Sequence, residues 1–177
     1  ELALILTSRG ASLKVKGKVY KTCVQRTMVY GSETWPMKKE DMQRLERTER
    51  MMVRWMCGVS LKNRISSDEL KERLGIEGID EIVERGRLRW FGHVERKPGE
   101  SWVSACRKFE VAGTKSKGRN KKTWEECVKK DLNCRGLKAE MAQDRSNWRS
   151  LIGGKRPTRA SMENMEIGRA SCRERVY

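Results

Sequence analysis

The chain contains no run of eighteen apolar residues, about the length a bilayer-spanning helix needs, so no membrane span is expected. Its six cysteines, at 23, 57, 106, 127, 134 and 172, include no CxxC pair. The opening residues Glu1-Leu2-Ala3-Leu4-Ile5-Leu6 lack the basic start of a secretory signal. A disulfide framework is therefore not expected; the cysteines read as reduced thiols packed as small hydrophobes. The chain reads as intracellular, nuclear or cytoplasmic, and not secreted. It also lacks an initiator Met, so the expectation is that it begins inside a longer protein.

Histidine occurs once, at His93. With Cys106, Cys127 and Cys134 it could suggest a zinc set, but the 12, 20 and 6 intervening residues fit no finger or knuckle. Packed thiols and a satisfied, partly buried imidazole are the expectation. No Ser/His/Asp or Cys/His signature appears. Gly153-Gly154-Lys155 lacks the upstream glycine and preceding strand of a P-loop. No catalytic residue, metal or cofactor is expected.

What the chain does have is positive charge. Forty Lys and Arg stand against twenty-four acids, a net of +16 over 177 residues. Such an excess attracts polyanions, and nucleic acid is favoured over a merely solvated basic surface or an anionic membrane. Charged residues (36%) nearly equal hydrophobic ones (37%), which suits amphipathic helices better than a thick sandwich. Of the eleven aromatics six are Trp, so the core is expected to rest on Trp, Met and Leu.

The pattern along the chain is helical. From Leu13 to Tyr30, apolar positions at Leu13, Val19, Tyr20, Cys23, Val24, Thr27 and Met28 predict one helix face. Gly31-Ser32 ends it, and Pro36 suits the first turn of the next helix. Glu40 to Cys57 reads as a long helix with Met42, Leu45, Met52, Trp55 and Met56 on one side and Gly58 as its cap. The pairs Glu40–Arg44 and Glu46–Arg50 support it weakly. Ser66 and Glu69 form a capping box for a helix to Leu74, closed by Gly75. Ile79, Ile82, Val83, Gly86, Trp90, His93 and Val94 make a further stripe.

Lys97-Pro98-Gly99-Glu100 breaks the pattern. The stretch 101–111 is ambiguous between strand and helix, and 112–122 is a basic, glycine-bearing loop. Thr123 and Glu126 form a second capping box, opening a helix with Trp124, Cys127, Val128 and Leu132. Asp144 caps a last helix with Trp148, Leu151 and Ile152 inward. The expected architecture is mainly α. A helical bundle spans 1–97, a linker with the basic loop 98–122, a smaller helical module 123–152, and a disordered tail 153–177.

Three basic groups are candidate nucleic-acid contacts. Lys115, Lys117, Arg119, Lys121 and Lys122 form an acid-free loop suited to tracking phosphates, just ahead of a helix N-terminus at Thr123. Arg85, Arg87, Arg89 and Arg96 surround Trp90 and Phe91. Of those two, Trp90 is expected in the core, while Phe91 lies nearer the stripe's edge. Arg44, Arg47, Arg50 and Arg54 run along the long helix at steps of three, three and four, with a solvated ridge paired to Glu40, Glu46 and Glu49 as the competing reading.

The strings YGSETWPMKKEDMQRLERTERMMVRWMCGVSLKNRIS (Tyr30 to Ser66), GRLRWFGHVERK (Gly86 to Lys97), TWEECVKKDL (Thr123 to Leu132) and AQDRSNWRSLIGGKRPTRASM (Ala142 to Met162) resemble the region downstream of the polymerase core in animal non-LTR retrotransposon (LINE-type) reverse transcriptases. The resemblance covers nearly the whole chain to about Met162. It implies a thumb and its helical extension, which hold template–primer for the palm. Partners implied are RNA, DNA or an RNA–DNA hybrid, and the polymerase palm itself, with no membrane. The family's palm carries paired aspartates that hold two metal ions. This chain has no adjacent pair: Asp41, Asp68, Asp80, Asp131 and Asp144 are isolated. The expectation is substrate contact without catalysis.

Ile167 to Val176 reads as an in-frame translation of a short-read sequencing adapter, so that stretch is expected not to belong to the natural chain. Removing Ile167 to Tyr177 lowers the net charge by two, and the basic excess survives. Two further readings compete with a nucleic-acid-binding fragment: a helical region that docks on the missing polymerase core, and a decayed retrotransposon copy with no function.

Overall fold

A computed structural model describes residues 2–109, 118 and 122–154 of the chain. Among these residues every regular element is helical. The expected loop residues 110–117 and 119–121 and the tail from 155, including the adapter-like stretch, lie outside them. The chain divides into two compact units: the described residues up to Arg87, and those from Leu88 onward. The division falls inside a helix, whereas the break expected from composition lies at Pro98.

The first unit begins with α1 (Leu2–Thr7) and α2 (Leu13–Val19). A π-turn (Tyr20–Gln25) and α3 (Arg26–Met28) follow α2 without a break. Ser12 caps α2 by accepting from the Val15 amide. The wider π-turn places residues five apart on one face, so Tyr20 and Gln25 are both buried. Cys23 and Thr27, expected inward from α spacing, are exposed.

The long helix α4 (Lys39–Cys57) starts three residues after Pro36, which therefore lies outside its first turn. Gly58, at φ 65, is left-handed and ends α4, with Val59 N donating to Arg54 O. Its buried face is Glu49, Val53 and Met56; Trp55, expected inward, is exposed. In α5 (Ser67–Leu74) the Ser66 hydroxyl accepts from Glu69 N and Gly75 supplies a left-handed cap. Leu6, Tyr20, Val53, Met56, Leu70, Leu74 and Ile76 form the core. α2 crosses α5 at Gly17, where an added Cβ would lie 1.9 Å from Leu74 O.

This core is held by buried polar groups as well. The Glu49 carboxylate accepts from Gln25 Nε2 at 3.0 Å and from the Ile79 amide at 3.2 Å, and pairs with Lys71 Nζ at 3.1 Å. Gln25 Nε2 also donates to Glu77 O at 2.8 Å, and buried Lys16 donates to Met56 O at 3.1 Å. A charge this deeply buried is tolerated because its oxygens are bonded. Burial, with Glu49 nearby, pushes the Tyr20 phenol well above its ordinary pKa.

α6 (Ile79–Glu95) passes from one unit to the next. Ile79, Val83 and Val94 of the expected stripe are buried, but Leu88 and Phe91 are inside as well, together with Glu84 and Arg87. Trp90 is only partly buried and stacks on exposed His93, ring centroids 5.3 Å apart.

The second unit continues with α7 (Trp102–Lys108), which resolves the strand-or-helix ambiguity as helix under a Ser101 cap. α8 (Trp124–Arg135) carries the complete Thr123–Glu126 capping box. A 3-10 turn (Ala139–Gln143) and α9 (Arg145–Gly153) complete it, with Asp144 accepting from the Ser146 and Asn147 amides. Leu88, Phe91, Val128, Leu132, Ala142, Trp148 and Ile152 form its core, while Leu151 is exposed. Phe91 lies 6.5 Å from Trp124 and 6.1 Å from Trp148, tilted to both, as ring quadrupoles favour. The Trp148 indole N–H donates to Leu88 O at 3.0 Å. Gly92, one turn along α6, makes room for it: an added Cβ would lie 2.4 Å from the indole nitrogen.

Candidate nucleic-acid interface

The outer face of α4 is opposite Glu49, Val53 and Met56. At helical steps it carries Arg44, Arg47, Arg50, Met51 and Trp55, all exposed. Arg44 approaches Asp41 at 3.7 Å, an exposed pair worth little. Arg47 and Arg50 stand in solvent on the same side. These guanidiniums can donate to phosphate oxygens without reorganising the fold.

Arg54 sits on that row but has another task. Its guanidinium donates to Ser60 O at 3.2 Å, Asn63 O at 3.4 Å and Ile65 O at 2.8 Å. It thereby closes the loop 59–65 against the end of α4.

The α6 arginines are dispersed rather than gathered. Arg85 pairs with Glu77, and that bond holds the Glu77 carboxyl below its usual range. Arg87 is buried. Arg89 is exposed, and Arg96 donates to Ala142 O at 2.5 Å. Two members of this set are therefore engaged inside the fold and a third is buried. Of the basic loop, Lys122 is described and exposed, while Lys115, Lys117, Arg119 and Lys121 lie outside the described residues.

Sequence reading missed a second basic row. Lys14, Lys18 and Lys21, at steps of four and three, line an open groove with Glu72, Arg73, Leu74 and Gly75. The i, i+4, i+7 spacing was the available signal. These lysines gather about the C-terminal end of α5, where cations offset the negative end of the helix dipole. Arg73 is further paired with Glu69 at 2.6 Å and Lys21 with Glu77 at 3.8 Å. A structural role accounts for much of this row.

No group of three His, Cys, Asp or Glu side chains among the described residues could hold a metal ion. No described helix is long and apolar enough to cross a membrane.

No protein-family profile matches the chain, and no solved structure matches it. It is similar to an uncharacterized transposon-derived protein of Caenorhabditis elegans, 24% identical over 151 residues. The match covers 78% of this chain and 54% of that protein, so the chain spans about half the length of its relative. The similarity points to a transposon origin.

Proposed function

We propose that the chain is a nucleic-acid-holding region from the C-terminal side of a non-LTR retrotransposon reverse transcriptase, which grips template–primer largely through the phosphate backbone. The exposed Arg44–Arg47–Arg50 row on α4, set on a helix anchored by buried Glu49, carries this reading. The net charge of +16 and the transposon-derived relative support it. Lys122 and Arg89, both exposed, would add contacts. No adjacent aspartate pair is present, so nucleotidyl transfer is assigned to other parts of the parent enzyme.

The full chain, titrated with a labelled RNA–DNA hybrid across a salt series, tests this. Backbone grip predicts a linear fall of log affinity with log salt, alike for unrelated sequences. Arg44→Gln/Arg47→Gln/Arg50→Gln should make the slope shallower by about 0.9 for each phosphate no longer neutralised, on the duplex coefficient. A folded chain that binds nothing at low salt defeats the reading.

Exposed Trp102 and Phe109, at the two ends of α7, favour a second reading, in which the chain docks on the polymerase core. That reading predicts self-association of the isolated chain, abolished by Trp102→Ser.

A further inference from the structure

From Arg47 to Ser67 the only acid is Glu49, and it is buried and bonded on both oxygens. The surface of this stretch is therefore free of negative side chains. It displays Arg47, Arg50, Lys62 and Arg64, all exposed. The same stretch exposes its apolar side chains to an unusual degree: Met51 is 73% accessible, Trp55 55% and Leu61 85%. Arg47, Met51 and Trp55 follow one another at steps of four along about 12 Å of helix. Arg54, bonded to three carbonyls, shapes the loop that carries Leu61, Lys62 and Arg64 directly after the helix.

We infer that this end of α4 and its loop form a platform for single-stranded nucleic acid, with Trp55 stacking on a base and the four cations on the flanking phosphates. The inference rests on the nucleic-acid reading of the α4 row and sharpens it to a strand with unpaired bases. Charge decides the occupant. A protein partner would need an acidic face to meet four unopposed cations, whereas a nucleic acid brings phosphates together with flat apolar rings. A paired duplex offers the phosphates but keeps its base faces stacked away from Trp55. Arg54 is a positioning residue here, not a phosphate ligand.

The test is titration of the full chain with fluorescein-labelled oligothymidylate, and separately with duplex DNA, over a salt series. Trp55→Ala should weaken oligothymidylate binding roughly five- to a hundredfold at every salt concentration, without changing the salt slope, because stacking releases no counterions. Duplex binding should be untouched, and Trp55→Phe should restore most of the loss. Arg47→Gln/Arg50→Gln/Lys62→Gln/Arg64→Gln should instead reduce the slope by about 0.7 for each phosphate left without its cation. Melting followed by circular dichroism checks that the variants fold. Leu61→Ala, on the exposed loop, should show the Trp55→Ala pattern in weaker form and replaces it if that variant is unstable.

Unchanged oligothymidylate affinity in folded Trp55→Ala, beside a parent that binds, overturns the platform and leaves the wider reading standing. A folded parent that binds no nucleic acid overturns both. Self-association that Trp55→Ala abolishes, with oligothymidylate affinity unaltered, makes the patch an interface between copies and overturns the platform.

Discussion

The two units hold themselves together by different means. In the first, Glu49 gathers Gln25, Lys71 and the Ile79 amide inside an aliphatic core, with Lys16 and Tyr20 also buried. In the second, Phe91 packs against both Trp124 and Trp148, Trp148 sits over Gly92, and its indole N–H donates to a helix carbonyl. The first leans on satisfied buried charge, the second more on ring packing, although Asp131 of α8 is buried there too. Removing a single acceptor should harm the first far more than removing a single methylene, and the second should respond in the opposite way.

The sharpest way to break this contrast is Glu49→Ala. It strands Lys71, Gln25 and the Ile79 amide at once, and about 3–5 kcal/mol of stability should be lost. Peptide-resolved hydrogen exchange should place the loss in residues up to Arg87, and equal loss beyond Leu88 would abolish the contrast. Next in size is Gly92→Ala. The added methyl group collides with the Trp148 indole, so about 1–3 kcal/mol should be lost from Leu88 onward, with Trp148 fluorescence shifted to the red. Unchanged stability would mean that the aromatic cluster has room to spare around the indole.

The smallest effect concerns pH. The Arg85 guanidinium lowers the Glu77 pKa, so the native state binds this proton less readily than the unfolded chain. Its contribution is present above the ordinary glutamate value of about 4.3 and is lost as pH falls through the depressed value. Both groups are partly exposed, so Arg85→Gln should remove less than about 1 kcal/mol at neutral pH and flatten the acid limb of stability against pH. An unaltered acid limb would shift the acid sensitivity to other groups.

Much of the fold was legible because it is written locally. Gly58 and Gly75 as left-handed caps, Ser66 and Thr123 as N-caps and Asp144 ahead of α9 all depend on residues a few positions apart. The π-turn was not legible: apolar spacing assumes one period, and burying Gln25 requires an acceptor on a helix 24 residues away. The face of α6 was read only in part, for a related reason: Ile79, Val83 and Val94 are buried as expected, whereas Leu88 and Phe91 were not placed inside. Glu84 and Arg87 are buried, and a hydrophobic count assigns such residues to solvent. The same limit governs the candidate interface. The arginine row of α4 follows from helical period alone, but the engagement of Arg54 with Ile65 O, and of Arg96 with Ala142 O, depends on backbone that only folding brings near.

The Glu49 carboxylate also sets a schedule. Its last donor, the Ile79 amide, lies 30 residues downstream. At a translation rate of roughly 5–20 residues per second, Glu49 has been made about 1.5–6 seconds before that donor exists. During that interval Glu49 keeps its water, the core around Val53 and Met56 has no closed polar centre, and the arginine face of α4 stands on a helix not yet anchored. An anchored arginine row therefore arrives only once the start of α6 has left the ribosome.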